Sequence, residues 1–405
     1  MDSNTRSQLD KLVQLELAGI VELRHDLHAH PQVGYEETYA SGRVQEALQA
    51  AGVPFQVVAT TGVVGWILPR DESKAGEKAI GMRADMDALP IQEETGLPYA
   101  SSFPGFMHAC GHDGNTAMLV GAATILARMR DRLPRPVKLF FQPAEEGGAG
   151  AKRMIDAGAM GREVGGVEVG AMFAQHAKAE VQAGRFGVCV GPSGARSDEI
   201  HFNIVGRGSH AARPESARDP IVAAAAVVMN LQTVVSRSIR GMDQAVVTIG
   251  QIHGGTKDNI IPPSVRMSGT VRTYDDQVAA TVHRRIEEIT RQTAAAMGCE
   301  GNVEIREGYP VTCNDTAAAR YAIQTAREVV GADRVVEVPP TMGAEDFSYF
   351  QQRVPGCMIN IGMHPPGQDY PGVHTPQFDF NDDVAANGVK LFCLLALNTE
   401  QLPKH

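Results

Sequence analysis

Three apolar segments of the sequence are predicted to be buried strands, and each of them leads into acidic or imidazole side chains. Because helical segments lie between these strands, the pattern predicts an α/β fold with a mostly parallel sheet. In such sheets functional side chains gather beyond the carboxyl ends of the strands. We therefore expect a site there. Residues 79–84 lead to Asp85 and Asp87, residues 137–141 to Glu145 and Glu146, and residues 167–174 to His176.

A second motif, residues 107–116, reads Met-His-Ala-Cys-Gly-His-Asp-Gly-Asn-Thr. Cys110 and His112 are two residues apart, and the neighbouring glycines allow the tight backbone that would turn both side chains toward one point. Asn115 and Thr116 are residue types that cap helices, and residues 117–127 are predicted to be helical. The pair indicates half of a metal site, although a core thiol beside a surface histidine would give the same pattern.

The composition restricts the partners of the chain. At 405 residues the chain is too long for one compact core, so two domains are expected. The net charge of −10 disfavours nucleic acid and anionic membranes, since both attract basic surfaces. The N-terminus has no apolar signal-peptide core, and the longest apolar run, residues 221–229, is too short to cross a bilayer. The six scattered cysteines indicate free thiols in a reducing cytoplasm.

The order of predicted elements changes at residues 184–197, which we interpret as a hinge. Beyond it, the order β-α-β-β-α-β predicts a ferredoxin-like domain, residues 191–305, inserted into a catalytic domain formed by residues 1–190 and 306–405. The inserted strands are predicted at 199–205, 245–252, 265–273 and 302–307, and the inserted helices at 214–236 and 277–296. The catalytic domain is expected to contain further helices at 7–29, 36–51, 315–331 and 382–398, and a short strand at 358–361.

Several polar segments look like ordinary turns when each is considered alone. One glycine-flexed turn contains His210, another contains Asn259, and a loop bounded by prolines and a glycine contains His374. Residues 343–347 add a further acidic pair. The three histidines of residues 24–30 lie at the end of the first predicted helix, and helix capping is a better explanation for them than metal binding.

Together these motifs resemble the aminoacylase and hippurate-hydrolase branch of the dinuclear metallopeptidases. This branch includes N-acyl-amino-acid amidohydrolases, certain carboxypeptidases and plant auxin-conjugate hydrolases. The resemblance extends from residue 24 to the C-terminal helix. It rests on Met-His-Ala-Cys-Gly-His-Asp-Gly at 107–114, Gln-Pro-Ala-Glu-Glu-Gly-Gly at 142–148 and Asp-Asn-Ile-Ile-Pro at 258–262.

The resemblance implies roles for individual residues. Glu145 matches the general base. His210 lies in the predicted inserted domain, which corresponds to the satellite domain of this family, and matches its residue that polarises the scissile carbonyl. Asn259 and Arg272 match positions near the polar end of the substrate, and Asp87 is expected to orient a metal ligand. The metal ligands of the family correspond to Cys110, His112, Glu146, His176 and His374.

These ligands imply two divalent ions per subunit, manganese or zinc. Such ions lower the pKa of a shared water, and Glu145 would pass its proton to the leaving nitrogen. The ions would also offset the repulsion between Glu145 and Glu146. The resemblance further implies a homodimer formed through the satellite domain, in which His210 completes the site of the partner chain.

Three positions depart from the family pattern. Relatives usually have histidine in place of Asn115, which indicates a change in the pocket wall. Relatives also tend to have a hydrophobic residue in place of Gln175, which indicates a reshaped substrate pocket. Arg196 replaces small residues, and we expect either an anchor for a substrate carboxylate or a solvated arginine of the hinge.

The leading interpretation is a cytoplasmic, metal-dependent amidohydrolase that releases an amino acid from an N-acyl or aroyl amino acid. One alternative is hydrolysis of another C–N bond, by deamination of an amino-substituted aromatic acid or by a dipeptidase or carboxypeptidase activity. A binding protein without catalysis is disfavoured, because Glu145 and all five candidate ligands are present. The expected partner is a small-molecule substrate, without nucleic acid or membrane.

Overall fold

The computed structural model describes residues 2–399. Its α-helices are α1 (Ser3–Ala29), α2 (Thr38–Ala50), α3 (His112–Arg128), α4 (Gly150–Asp156), α5 (Pro220–Ser238), α6 (Asp276–Ala296), α7 (Thr316–Val330), α8 (Ser348–Gln351) and α9 (Ala385–Leu397). Its β-strands are β1 (Phe55–Val58), β2 (Gly62–Ile67), β3 (Ala79–Asp85), β4 (Val137–Gln142), β5 (Val169–Gln182), β6 (Phe186–Val188), β7 (Gly191–Gly194), β8 (Arg196–Val205), β9 (Ser209–His210), β10 (Ala245–Gly254), β11 (Ile260–Ile261), β12 (Ser264–Thr273), β13 (Glu300–Glu307), β14 (Thr312–Asn314), β15 (Val335–Glu337) and β16 (Gly356–His364).

The chain forms two compact units. The first runs to Gly191 and also contains Cys313–Pro339 and the chain from Asp346 onward; the second contains Pro192–Thr312 and Pro340–Glu345. This division differs from the predicted domain boundaries, because residues 306–312 and 340–345 belong to the second unit.

The first unit is built on an eight-stranded sheet with the order β1-β2-β4-β3-β5-β16-β6-β15. Strand β3 runs parallel to both β4 and β5, β16 runs parallel to β5, and β15 runs parallel to β6. The pairs β1–β2, β2–β4 and β6–β16 are antiparallel. The mostly parallel sheet that the sequence predicts is therefore confirmed.

Alternating side chains of β4 bury both faces of this sheet. Phe141 packs in the core that includes residues of α1, α3 and α9. Phe140 packs on the opposite face, where its ring centroid lies 5.4 Å from that of Phe350. Since a slip of one residue would exchange the faces, this packing fixes the register of β4. It also fixes the point at which residues 143–149 leave the sheet.

The predicted end of the strand that leads to His176, residues 167–174, is wrong. Strand β5 does not stop before His176 but continues to Gln182. Strand β16 runs parallel to β5 and stays in register with it from Met172 to Lys178, so the backbone around His176 keeps its hydrogen-bonding partners. His176 therefore lies within a strand and not on the loop that follows one.

Two predicted helix starts are also wrong. Helix α3 begins at His112, because Gly111 adopts a left-handed conformation and forms its N-cap. Asn115 and Thr116 therefore do not cap the helix. Their side chains donate hydrogen bonds to the side chain and main-chain oxygen of Asp85, at 2.8 and 2.6 Å.

Helix α5 begins at Pro220 and not at residue 214. The side chain of Asp219 accepts hydrogen bonds from the amides of Ile221 and Val222, and it therefore caps the helix. Residues 214–216 form a separate turn of 3₁₀ helix. Residues 184–197, interpreted as a hinge, contain β6, β7 and the first residues of β8.

The second unit contains an antiparallel sheet with the order β10-β12-β8-β13, against which α5 and α6 pack. This order, with β8-α5-β10-β12-α6-β13 along the chain, is the ferredoxin-like arrangement that the sequence predicts. Within the described residues, α5 is the one helix whose length and composition would allow it to cross a membrane. Core helices meet the same criterion, and Ala223, Val227 and Leu231 of α5 are fully buried in this unit.

Candidate metal centre and active site

The thiol of Cys110 lies among the other candidate ligands. Its Sγ is 3.5 Å from His176 Nε2 and 3.3 Å from His374 Nε2. Potential ligand atoms of Cys110, His112 and His176 all lie within 4.8 Å of one another, and so do those of Cys110, Glu146 and His374. The structure thus brings the five predicted ligands together in two groups that share the thiol.

Unusual backbone conformations bring these side chains to one place. Gly111 has φ +79°, and a Cβ at this position would lie 2.9 Å from the Cβ of Ala177. His374 also has a positive φ, +63°, which is uncommon for a residue with a side chain. Its amide donates a 2.7 Å hydrogen bond to the carbonyl of Ala109, which ties its loop to the residue preceding Cys110.

The hydrogen bonds of two imidazoles leave their Nε2 atoms available. His112 Nδ1 lies 2.8 Å from the carbonyl oxygen of Asp87, and His176 Nδ1 lies 2.8 Å from that of Ala177. Because a carbonyl can only accept, each Nδ1 carries the hydrogen. His112 Nε2 is buried and has no hydrogen-bond partner among residues 2–399. An orphaned nitrogen beside a thiol, imidazoles and a carboxylate fits a divalent metal ion.

The electrostatics of the cluster favour a cation. Burial opposes ionisation of Cys110, but the imidazoles of His176 and His112 outweigh it and lower the pKa of the thiol to about 6. Burial also opposes a charged His176, but the neighbouring Cys110 raises the pKa of this imidazole to about 9. Hydrogen bonds to Cys110 and Glu146 raise the pKa of His374 to about 10. The lowered pKa of Cys110 favours the thiolate, the form that binds metals.

Glu145 lies beside these ligands. Its side chain is buried, and a carboxylate oxygen lies within 4.8 Å of ligand atoms of His112 and Glu146. Asp87 contacts the same two ligands: one oxygen accepts a 2.9 Å hydrogen bond from the amide of Glu146, and the other lies 3.3 Å from His112 Nδ1. This geometry fits a proton-transferring carboxylate and a residue that orients ligands.

A buried network next to the ligands was not predicted. Asp85 Oδ2 lies 3.7 Å from His112 Nε2 and accepts a 2.5 Å hydrogen bond from Arg83. Arg83 also donates to Gln142 at 2.8 Å and to Asp346 at 3.1 Å. The signal in the sequence was an arginine and an aspartate within an apolar strand, because buried charges must be paired.

The histidines of residues 24–30 bind carboxylates and main-chain oxygens. His28 Nδ1 lies 2.8 Å from Asp113, and His25 Nε2 lies 2.7 Å from Asp382. Burial lowers the pKa of His28, but Asp113 outweighs this effect and raises it to about 9. His30 is the C-cap of α1, and its Nδ1 lies 2.7 Å from a main-chain oxygen. His30 therefore has the predicted capping position, whereas His25 and His28 pair with carboxylates instead.

The second unit brings two of its predicted site residues together. Strands β9 and β11 pair, so that His210 lies opposite Ile260, and the carbonyl of Asn259 accepts a hydrogen bond from Ala211. The exposed His210 accepts a 3.0 Å hydrogen bond at Nδ1 from the amide of Ala212. Its Nε2 therefore carries the hydrogen and can donate.

The two predicted substrate-binding arginines have internal partners. Arg196 is bound to three carboxylates, Asp198 at 2.8 Å, Glu307 at 3.0 Å and Asp276 at 3.2 Å. These contacts involve all three of its nitrogens, so a substrate carboxylate would have to compete with three internal partners. Arg272 donates from one nitrogen to Ser197 Oγ and to the carbonyl of Val271.

A mostly parallel sheet with clustered thiol, imidazole and carboxylate groups fits a metal-dependent hydrolase. Residues 81–398 match Peptidase family M20/M25/M40. The IAA-amino acid hydrolase ILR1-like 2 of Arabidopsis thaliana is 36% identical over 384 residues, which cover 93% of this chain and 84% of the relative. The N-acetyl-L-cysteine deacetylase of Bacillus subtilis is 38% identical over 344 residues, which cover 85% of this chain and 80% of the relative.

A solved structure is also similar. The Bacillus subtilis YXEP protein, described as a dinuclear metal binding peptidase from the M20 family, is 30% identical with a TM-score of 0.81, and the match covers 96% of this chain and all of that one. The present chain therefore belongs to Peptidase family M20/M25/M40. This membership confirms the predicted family and the predicted enzyme class, a metal-dependent hydrolase of C–N bonds.

Proposed function

We propose that the chain hydrolyses the amide bond of an N-acyl or aroyl amino acid and releases the amino acid. The observation that carries this proposal is the buried Glu145, which lies beside two groups of potential metal ligands that share Cys110. A chain that only binds its ligand would have no use for a proton-transferring carboxylate in this position.

The two ligand groups would hold the metal ions, which we propose to be manganese or zinc. When bound, such ions lower the pKa of a water molecule and polarise the scissile carbonyl. The shared thiolate of Cys110 supplies negative charge to both groups, while the Nδ1 hydrogen bonds of His112 and His176 direct their Nε2 atoms toward it.

The remaining chemistry belongs to side chains. The Glu145 carboxylate accepts the proton of the attacking water and delivers it to the leaving nitrogen, so that the amine departs neutral. Asp87 holds the amide of Glu146, the residue following the base, and thereby limits the movement of Glu145.

The names of two relatives support an acylated amino acid as the substrate. One is an IAA-amino acid hydrolase and the other an N-acetyl-L-cysteine deacetylase, and both match more than four fifths of this chain. The contrasting possibility, deamination of an amino-substituted aromatic acid, would require the same base and ligands but would release ammonia.

We also propose that His210 donates a hydrogen bond to the carbonyl oxygen that becomes negative during attack. The acceptor role of its Nδ1 and its exposure support this, because they leave an Nε2 hydrogen available to a substrate. Asn259 and Arg272 are proposed to contact the polar end of the substrate. Arg196 is left out of this set, since three carboxylates already bind it.

The proposed assembly is a homodimer that forms through the second unit. Strand β10 is an edge of its sheet, and its Val246 and Ile252 are exposed. Ile221, Val222 and Met229 of α5 are exposed as well. An uncovered strand edge and exposed apolar side chains support pairing with a second copy of the chain. The free state of the six cysteines supports the proposed cytoplasmic location.

The test is a substrate panel with product identification. Metal-reconstituted protein is offered N-acyl amino acids, aroyl amino acids, dipeptides and aminobenzoates. Release of a free amino acid and a carboxylic acid is expected, whereas ammonia from an aminobenzoate would favour deamination. Glu145→Gln should lose turnover by a factor on the order of 10²–10⁴ without unfolding. Activity of this variant within a few-fold of wild type would remove Glu145 from the role of base.

A further inference from the structure

The loop of residues 143–149, which carries Glu145 and Glu146, contacts a segment from much earlier in the chain, residues 34–37. We propose that Glu37 is a positioning residue that fixes this loop and so keeps Glu145 beside the candidate ligands. This inference rests on the proposed function, in which Glu145 is the base. Glu37 would act on catalysis through the loop and would touch neither substrate nor metal.

The carboxylate of Glu37 makes two buried hydrogen bonds. Its Oε1 accepts from the amide of Ala144 at 2.8 Å, and its Oε2 accepts from the hydroxyl of Thr61 at 2.6 Å. The side chain of Glu37 is fully buried. A buried carboxylate without partners is costly, so its orientation is fixed by these two donors.

The residue that Glu37 holds has an uncommon backbone conformation. Ala144 has φ +50°, in the left-handed region that side chains disfavour. Such a conformation persists only when its surroundings require it. The Ala144 amide lies beyond the end of β4, and its hydrogen-bond acceptor is the side chain of Glu37. Since Glu145 follows directly, the direction of its side chain depends on this conformation.

Other contacts of the same segment limit the loop on either side of Glu145. A Cβ added at Gly34 would lie 2.9 Å from the Cβ of Ala144, so the two backbones approach closely. The hydroxyl of Tyr35 donates a 2.6 Å hydrogen bond to the carbonyl of Gly148. The guanidinium of Arg153 lies 4.0 Å from the Tyr35 ring centroid and covers the ring. Residues 34–37 therefore hold the loop both before and after the base.

Helix capping does not account for the Glu37 carboxylate. Glu37 is the N-cap residue of α2, but its side chain makes no capping hydrogen bond. Its oxygens are directed to the loop and to Thr61 instead. If Glu37 acts by positioning the loop, its side-chain oxygen must accept the hydrogen bond from the Ala144 amide. The negative charge of the carboxylate is not required for this role.

The test compares Glu37→Ala and Glu37→Gln with Glu36→Ala, a matched control that removes the exposed carboxylate next to it. Glu37→Ala should lower kcat by on the order of 10²-fold, as a displacement of about 1 Å can do, with KM within a few-fold of wild type. Glu37→Gln keeps an acceptor for Ala144, and the Thr61 hydroxyl can accept from its amide. Its kcat should stay within a few-fold of wild type.

Hydrogen exchange supplies a readout that does not depend on activity. In the full-length chain with chelator present, peptides covering residues 143–149 should exchange faster in Glu37→Ala than in wild type, Glu36→Ala or Glu37→Gln. If Glu37→Ala does not fold, Thr61→Val, which frees one carboxylate oxygen, should also increase exchange in this loop.

Unchanged exchange and unchanged kcat in Glu37→Ala would overturn the inference. So would a Glu37→Gln protein as inactive as Glu37→Ala with a loop as protected as in wild type, because charge would then matter and position would not. A wild-type protein inactive on the whole panel would instead count against the proposed function, and the exchange comparison would still decide whether Glu37 holds the loop.

Discussion

Removal of the Asp87 carboxylate should weaken metal binding, because this one side chain contacts two candidate ligands. In Asp87→Ala the Glu146 amide loses its 2.9 Å acceptor, and His112 Nδ1 loses the carboxylate at 3.3 Å. The loss of a partner that orients a ligand typically costs 10–100-fold in metal affinity, or roughly 1.4–2.7 kcal/mol. His112 keeps its 2.8 Å hydrogen bond to the Asp87 carbonyl, so the loss should stay within this range.

The assay is a competitive titration of metal-free protein against a chromophoric chelator. Asp87→Asn is the informative comparison, because its side-chain oxygen can still accept from Glu146, and its affinity should lie within a few-fold of wild type. Asp369→Ala, which removes an exposed carboxylate, should match wild type. Equal affinities for Asp87→Ala and wild type would show that Asp87 does not orient the ligands.

Two further perturbations test other parts of the molecule. Lys138 is fully buried, and burial lowers its pKa from 10.5 to about 8. Between these values the unfolded chain binds a proton that the folded chain lacks, so the free energy of unfolding should rise with pH, by roughly 3 kcal/mol in total. The free energy of unfolding is measured by guanidinium denaturation at pH 8 and pH 10, and it should rise less in Lys138→Met than in wild type. The same rise in both proteins would contradict the lowered pKa of Lys138. His210→Ala should lose transition-state stabilisation of about 2.7–4 kcal/mol with unchanged metal content. A mixture of Glu145→Gln and His210→Ala proteins should regain activity after subunit exchange, and no recovery despite verified exchange would exclude action across the dimer.

The features that could be predicted from the sequence are those marked by a regular order of strands and helices or by a local motif. The alternation of strands and helices gave the mostly parallel sheet, and the order of the inserted elements gave the ferredoxin-like unit. The ligand motifs were recognised because each keeps its spacing within a few residues, as Cys110 and His112 do. The rule for parallel sheets placed the strand-end motifs at one edge, but no local signal placed the loop of His374 beside Cys110.

The features that were missed depend on partners distant in the chain. Arg83 and Asp346 are 263 residues apart, and Glu37 and Ala144 are 107 apart, so no local pattern connects them. His176 was assigned to a loop because the pairing of β5 with β16 cannot be read from β5 alone. Arg196 looked available to a substrate because two of its three carboxylate partners, Asp276 and Glu307, lie far from it in the chain.

The helix starts were missed because the local sequence offers more than one possible cap. Several residues near each start have capping side chains or suitable backbone conformations. Gly111 and not Asn115 is the N-cap of α3. Where α3 packs against β3, the Asn115 side chain donates a hydrogen bond to Asp85 and does not cap the helix. Helix α5, predicted to begin at residue 214, begins at Pro220 because the side chain of Asp219 caps it there.

The two ligand groups are tested by the metal content of reconstituted wild-type and Cys110→Ala proteins, determined by elemental analysis after removal of free metal. About two equivalents are expected per wild-type chain, because two ligand groups share the thiolate. Cys110→Ala should lose tightly bound metal and turnover together, since both groups lose a common ligand. A Cys110→Ala protein that retained both ions and normal turnover would contradict the shared-thiolate centre.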